Sequence, residues 1–285
     1  MEALYNFPQT LLNVFLSLKP FYPLLIIGMI AERFLAVYPV SFSRIAVNFA
    51  YAIFAFSLSA TIVAPIVSYL NAQLPPSLLK FHPQNFSSFG QIAFWLLYLV
   101  FFDFLYYWFH RAQHTFAWMW RYHMVHHSDE NISCAAFVRH HWLEELWRYG
   151  FMTAPLILMF GDIGGMPFWA VMFLVIFAVG MHLNTSTRFG VLERLIITPH
   201  YHRIHHSIEE KHYNRNFGAF LQLWDFLFKT RYLPVKGEFP RTGIIDFNEK
   251  FLPALLLPIP LIPKKSGVRA LDPAALSRAI KKSSH

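Results

Sequence analysis

The sequence predicts an all-α integral membrane protein with about three spanning helices, a helical hairpin, and a helical cap carrying clustered histidines. Three observations predict it. Hydrophobic residues make up 55% of the 285 positions and aromatics 18%, against a charged fraction of only 14%. Mean hydropathy is accordingly positive, at +0.37, outside the range of an ordinary soluble domain. Three apolar runs long enough to cross a bilayer precede residue 110, and five of the fifteen histidines fall in the stretch HRAQHTFAWMWRYHMVHH, His110 to His127, where the third run ends.

Phe21 to Tyr38 is the first run, preceded by a shorter stretch, Leu11 to Leu18, that Lys19 and Pro20 interrupt. Glu32 and Arg33 lie near its end, where an interface suits them. Ile45 to Leu70 is the second run, uncharged, with Pro65 expected to kink it. A loop with Pro75, Pro76 and Pro83 follows, then Ile92 to Phe109 forms the third and leads straight into His110. Asp103 lies inside this third run, where a carboxylate is costly, so it is expected to serve a ligating histidine from behind.

Trp147 to Phe160 and Pro167 to Leu183 are joined by GDIGGM and read as a hairpin that enters the membrane and returns, bringing His182 back to the histidine-rich face. From Arg188 to Arg241 the chain is more polar. Phe251 to Pro263 is apolar but too short and proline-rich to span, so it is expected at the interface, followed by a basic tail. Three regions result: N-terminal transmembrane helices (1–109), a histidine-box region containing the hairpin 147–183 (110–250), and an interfacial segment with its tail (251–285).

Charge is uneven. Residues up to His110 carry four basic and three acidic side chains, and the remainder 20 and 13. With three spans, Arg33, Arg44 and the basic half share one side, which the positive-inside bias makes the cytoplasm, and the N-terminus is outside. The membrane is then a bacterial inner membrane or the endoplasmic reticulum. No basic and aromatic motif for nucleic acid accompanies the charge. The single cysteine, Cys134, excludes an intrachain disulfide and any cysteine-based metal site within the chain. The N-terminal MEALYNFPQT lacks the basic start of a signal peptide, so no cleavable signal is expected.

His110 and His114 stand four apart, on one helix face. His123, His126 and His127 form HxxHH, and His202, His205 and His206 repeat it, YHRIHH against YHMVHH. On a helix each triplet fits an arc of roughly 100°, so its three rings are expected to converge on one point. One helical pair of histidines is unremarkable, but three boxes of unliganded imidazole would bury polar nitrogens at about 1–3 kcal/mol each. Imidazole is a ligand for iron, zinc, copper and nickel, and eight are too many for one ion, so two metals side by side are expected.

These residues resemble the fatty acid hydroxylase and sterol desaturase superfamily of membrane-bound, non-haem di-iron enzymes. The likeness runs from about Asp103 to Thr230. Asp103, Tyr107 and HRAQH are similar to D-x3-Y-x2-HR-x2-H, HMVHHS to the second box, RHHWLE (Arg139 to Glu144) to R-x-H-P-x-E, MHLN to H-x-N, and TPHYHRIHHS to the third box. NFG at Asn216 to Gly218 stands where NYG is common, and WDFLFKT departs from WD-x2-FGT at Lys229. The resemblance implies that His110, His114, His123, His126, His127, His141, His182, His202, His205 and His206 bind two irons, with zinc as a possible substitute in purified protein. His140, His200 and His212 flank the boxes out of phase with them, and His82 and His285 read as merely exposed.

The expected activity is O2-dependent hydroxylation or desaturation of a C–H bond in a sterol, hopanoid or fatty acyl lipid drawn from the bilayer. Electrons must come from an external protein of the cytochrome b5, ferredoxin or reductase type, since no flavin, haem or nicotinamide motif is present. Asp103 and Glu144 are the acidic groups expected to support the site. Two other classes remain open from the residues alone. A zinc-dependent membrane hydrolase would use Glu144 as its base, although no HExxH occurs. A metal transporter or sensor would place ionisable residues in several spans rather than after one.

Overall fold

The computed structural model describes residues 6–79, 81–161, 163 and 166–244. The Phe251 to Pro263 segment and the basic tail, and with them the third region, lie outside the described residues. Among those described there is no β-strand, only three isolated bridges, Ala36 with Thr185, Ile196 with Leu221 and Ser207 with Thr242.

The first span is longer than the apolar pattern suggests. α1 (Phe7–Ser17) passes through a 3-10 turn at Lys19–Phe21 into α2 (Tyr22–Leu35), a continuous 29-residue apolar rod. Pro20 and Pro23 do not end it, because each sits in the first turn of its segment, where proline's fixed φ is compatible and its missing N–H has no partner to lose. The rod stops at Leu35 because Ala36 turns extended, with φ −66° and ψ 132°.

The second span is α3 (Phe42–Leu58), a π turn at Ser59–Val63, and α4 (Ala64–Ala72), together 31 residues. The expected disturbance at Pro65 takes the form of that π turn. A proline ring collides with the carbonyl four residues back, here Thr61, and a widened turn relieves the collision without breaking the rod. The device recurs in the hairpin, where α7 (Glu144–Arg148) runs through a π turn at Tyr149–Thr153 into α8 (Ala154–Phe160), two residues ahead of Pro155.

α5 (Ser88–Thr115) is the third span, 28 residues long. It starts where the Ser87 hydroxyl accepts from the Gly90 N–H at 3.2 Å. It does not end at the membrane surface but continues to Thr115, lifting His110 and His114 on a rigid helix. One extended residue, Phe116, then reverses the chain into α6 (Ala117–His127), which packs back on α5. The returning limb of the hairpin, α9 (Phe168–Met181), is 14 residues long. At about 1.5 Å per residue it is too short to cross a bilayer. The outward limb packs on α5, and α9 packs on α2.

Large apolar side chains on the outside of the rods, such as Ile27 at 61% exposed and Phe34 at 81%, are uncovered among the described residues, as surfaces that face lipid are. This is a multi-pass membrane protein. The ends of the first two spans are tied to the histidine-bearing side. Glu32, in the last turn of α2, accepts from the N–H groups of Cys134 at 2.8 Å and Asn184 at 2.9 Å, and Arg44 reaches Asp129 at 3.3 Å. The pairing of Arg33 and Arg44 with the histidine side thus holds in three dimensions.

α2 approaches this region through Gly28, where an added Cβ would stand 3.0 Å from the Cys134 Cβ and 3.2 Å from Val179. Gly28→Val is expected to pry α2 from α9 and cost about 1–3 kcal/mol by overpacking. A thermal unfolding scan in detergent should show a lower midpoint than for the unaltered chain; an unchanged midpoint would mean that this contact is loose.

Candidate metal centre

Nine histidines from four places meet above the end of α5. They sort into two groups, each with its ligand nitrogens within 4.8 Å of one another: His110, His114, His123, His127 and His205 in one, and His126, His182, His202 and His206 in the other. α5 supplies the first pair, α6 the HxxHH of 123–127, the C-terminus of α9 supplies His182, and α10 (Pro199–His205) with its capping residue His206 supplies the second HxxHH.

Neither HxxHH converges on one point, as the 100° arc suggested. Each box divides. His123 and His127 go to the first group and His126 to the second; His202 and His206 go to the second and His205 to the first. The reason is angular. Residues i and i+4 differ by about 40° around a helix, but adjacent residues differ by about 100°, too much for two short side chains to reach one ion. Each box therefore gives an i, i+4 pair to one group and its odd member to the other. The groups touch, with His127 and His206 stacked at 4.3 Å and 22°.

The ring nitrogens facing inward are identified by what holds the others. Nδ1 of His110 lies 2.9 Å from the Phe217 carbonyl, Nδ1 of His205 2.8 Å from that of Arg215, and Nδ1 of His182 2.6 Å from that of Ala178. A carbonyl only accepts, so each of these Nδ1 atoms carries the proton and each Nε2 turns a bare lone pair inward. Nε2 of His110 and of His123 has no protein partner among the described residues.

The other Nε2 atoms face one another. His114 and His205 each lie 3.1 Å from His127, His182 lies 3.2 Å from His126 and 3.1 Å from His202, and His206 lies 3.0 Å from His202. A metal–nitrogen bond of about 2.1 Å sets ligands at right angles roughly 3.0 Å apart and tetrahedral ones roughly 3.4 Å apart. The donors and their separations fit cations of the iron or zinc type, with right-angled neighbours favoured.

Burial is the main reason these rings stay neutral. It holds His123 below its usual value and His126, His127, His202 and His206 well below, with neighbouring imidazoles adding to the effect on the last four. It lowers His182 to about 4 and His205 to about 3, against the smaller opposing pull of their carbonyl bonds.

Glu144 stands behind the first group. Its Oε2 accepts from Gln113 at 2.8 Å and faces Nδ1 of His140 at 3.3 Å and of His123 at 3.5 Å. Burial alone would raise its pKa. The neighbouring His140 and His123 and the hydrogen bonds they offer outweigh this and hold it well below the carboxylate range. Asp103, in contrast, touches no histidine among the described residues. Its carboxylate accepts from the backbone N–H groups of Ala219, Phe220 and Leu221 at 3.0, 3.1 and 3.2 Å, and from the Trp224 indole at 3.1 Å. Its support is indirect: it clamps the loop whose Phe217 carbonyl holds His110.

His141 is the one expected ligand that the fold leaves outside both groups. Its ring lies against Tyr122 at 5.0 Å and Trp142 at 5.5 Å, and its Nδ1 accepts from the Leu143 N–H at 3.1 Å. The preceding residue, His140, is the one beside the site, stacked on His126 at 4.4 Å and 9°. Irregular backbone between the 3-10 turn Cys134–Val138 and α7 decides which of the two adjacent rings turns inward. His200 and His212 bond Arg188, Ser207 and Glu238 instead, and His82 is exposed at the far end of α5.

Several partners carry no side-chain signal: the carbonyls of Phe217, Arg215 and Ala178 hold three rings. Gln113 and Asp225 could have been noticed only by their neighbours. Asp225 accepts from Phe217 and Gly218 N–H and from the Thr230 hydroxyl, pinning the loop from its other side. Lys229, where the related motif has glycine, adopts φ +58°, the left-handed conformation glycine takes freely.

Residues 95–230 match the fatty acid hydroxylase family. The match covers just under half of the chain and supports membership of the fatty acid hydroxylase and sterol desaturase superfamily. The chain is 29% identical over 187 residues to ornithine lipid hydroxylase OlsE of Rhizobium tropici, covering 65% of this chain and 52% of that one. It is 31% identical over 130 residues to alkylglycerol monooxygenase of Homo sapiens (45% and 28% of the two chains), and 28% over 152 residues to that of Xenopus tropicalis (51% and 32%). The chain thus spans about a third to a half of the length of these relatives. No solved structure matches it significantly.

Because burial lowers the pKa values of His123, His126, His127, His182, His202, His205 and His206, these rings are already unprotonated at neutral pH, and a metal displaces no proton from them. Free imidazole protonates below about 6.5. Acid therefore favours disassembly from that pH downward, until the folded site itself protonates near the lowered values. Calorimetry of metal uptake at pH 7.5, in two buffers of different ionisation heat, should give equal heats. A buffer-dependent difference of several protons would contradict the neutral cage.

Proposed function

We propose that this protein is an O2-dependent lipid oxidoreductase of the di-iron type. In this reading His110, His114, His123, His127 and His205 hold one iron, and His126, His182, His202 and His206 hold the other. The observation that carries it is the division of both HxxHH boxes between two touching nitrogen cages, which fits a pair of ions better than one. Zinc suits the same donors and could replace iron during purification. When bound, a reduced iron pair supplies the O2 activation that an unreactive C–H bond requires and that no side chain provides.

The chain's own part is to hold nine neutral rings in fixed directions. Nδ1 contacts at His110, His182 and His205 orient each Nε2 lone pair, Glu144 faces Nδ1 of His123, and Asp103 steadies the loop behind His110. An all-imidazole cage brings no negative charge to the ions, which favours the ferrous state. Glu144 is engaged by Gln113, His140 and His123, which leaves it poorly placed as a hydrolytic base.

The substrate proposed is a sterol, hopanoid or fatty acyl type lipid, entering from the bilayer along apolar α5 and α9, which deliver His110 and His182. The relatives' names, a hydroxylase and monooxygenases, favour hydroxylation over desaturation. In this reading the histidine face, on the side of Arg33 and Arg44, lies in the cytoplasm because of the positive-inside bias, and an external donor of the cytochrome b5, ferredoxin or reductase type supplies the electrons.

Elemental analysis of iron-loaded protein is expected to show about two ions per chain. His126→Ala and His205→Ala, one from each cage, should each lower metal content and cut turnover by about 100-fold. His82→Ala should do neither. One ion per chain after full loading, or equal activity in all three variants, would sink the assignment.

Product formation should also depend on presentation. With a reductase system supplied, bilayer or micellar lipids are expected to turn over and short water-soluble analogues are not. Equal rates for both would remove lateral entry.

A further inference from the structure

A second site lies on the histidine side of the molecule, behind α10. A cavity of about 490 Å³ opens there, lined among others by Tyr38, Arg44, Glu130, Arg203, Arg241 and Thr242. Its position is set by the chain. Tyr38 belongs to the turn between the end of α2 and the start of α3, and Arg44 to the first turns of α3, so the mouth stands where two spans leave the bilayer, at the level of lipid head groups.

Its charge is unbalanced. Arg44 is engaged by Asp129 at 3.3 Å and Glu130 at 3.9 Å. Arg203 has no such partner among the described residues. It is 2% exposed, its Nε donates to the Pro240 carbonyl at 2.8 Å, its Nη1 donates to the Asn184 amide oxygen at 3.4 Å, and the Phe239 ring lies 3.9 Å from its guanidinium carbon. Every one of these contacts is with a neutral group, and Nη2 has no hydrogen-bond partner among the described residues. Arg241 adds a second, exposed guanidinium on the rim. Asp129, already paired with Arg44, acts on Arg203 only through space. A buried guanidinium that no anion touches is costly, and its planar fork suits the oxygens of phosphate.

We propose that this cavity binds the phosphate group of a phosphate ester, with Arg203 and Arg241 as its charged donors. The ester is carried either by a membrane phospholipid or by a soluble compound. Arg203 projects from α10 between His202 and His205, so the occupant sits on the outer face of a helix whose inner face lines the metal centre. The inference stands apart from the oxidation chemistry.

The test uses metal-loaded, full-length protein in detergent. Native mass spectrometry would follow binding of phosphatidylglycerol and of a diacylglycerol with the same chains, with glycerol 3-phosphate as competitor. Phosphatidylglycerol should bind more tightly than diacylglycerol, and Arg241→Gln should weaken it by about tenfold, as loss of a charged hydrogen bond does. Arg203→Lys should weaken it as well, metal content showing that α10 remains in place. Arg241, on the rim, keeps the test valid if Arg203→Lys fails to fold. Competition by glycerol 3-phosphate supports the site and extends it to soluble esters; binding of the phospholipid without competition supports it for the lipid alone. Equal binding of the two lipids, or unaltered phosphatidylglycerol binding by Arg241→Gln, overturns the proposal.

Discussion

Buried imidazoles whose lone pairs face one another repel unless something positive stands among them. That constraint governs this molecule. The carbonyls of Phe217, Arg215 and Ala178 fix protons on the outer nitrogens of three rings, which leaves Nε2 atoms 3.0 to 3.2 Å apart with few donors to share. A polar cluster of this kind is costly as it stands and strong once it holds cations, so the surrounding structure must be rigid enough to keep it assembled.

Rigidity comes from carrying regular helices past the membrane edge. α5 is a spanning helix that does not stop where lipid stops, and α6 folds directly back on it through a single extended residue. The spans also fasten the loops. Glu32 gathers two backbone N–H groups, Asp103 gathers three and an indole, and Arg44 meets Asp129. Glu32 and Asp103 lie at the end of or within apolar segments, where a charge is retained only if it is well supplied with donors. The cost of burying them is offset by the loops they hold.

The divided boxes give the sequence repeat a geometric meaning. Two HxxHH helices facing each other exchange their odd members, so each cage contains residues of both and neither can assemble alone. The same argument explains why α10, only seven residues long, bears so much: its outward residue, Arg203, enters a neutral shell of Pro240, Asn184 and Phe239 beside a separate cavity.

The sequence by itself determined the membrane class and the three rods and singled out the nine histidines that the fold gathers, because hydropathy and helical spacing are local properties. Phe7–Ser17 was harder to read, since Lys19 and Pro20 look like a break until a 3-10 turn carries the helix through. The tertiary structure alone decided the rest. That His126 and His127 serve different groups follows from the angle between adjacent residues only once a second helix stands opposite. That His140 rather than His141 approaches the site depends on irregular backbone, which has no period to read. That Asp103 holds a loop more than a hundred residues away instead of a histidine is a long-range contact between a carboxylate and backbone N–H groups, and backbone N–H groups are the same in every sequence.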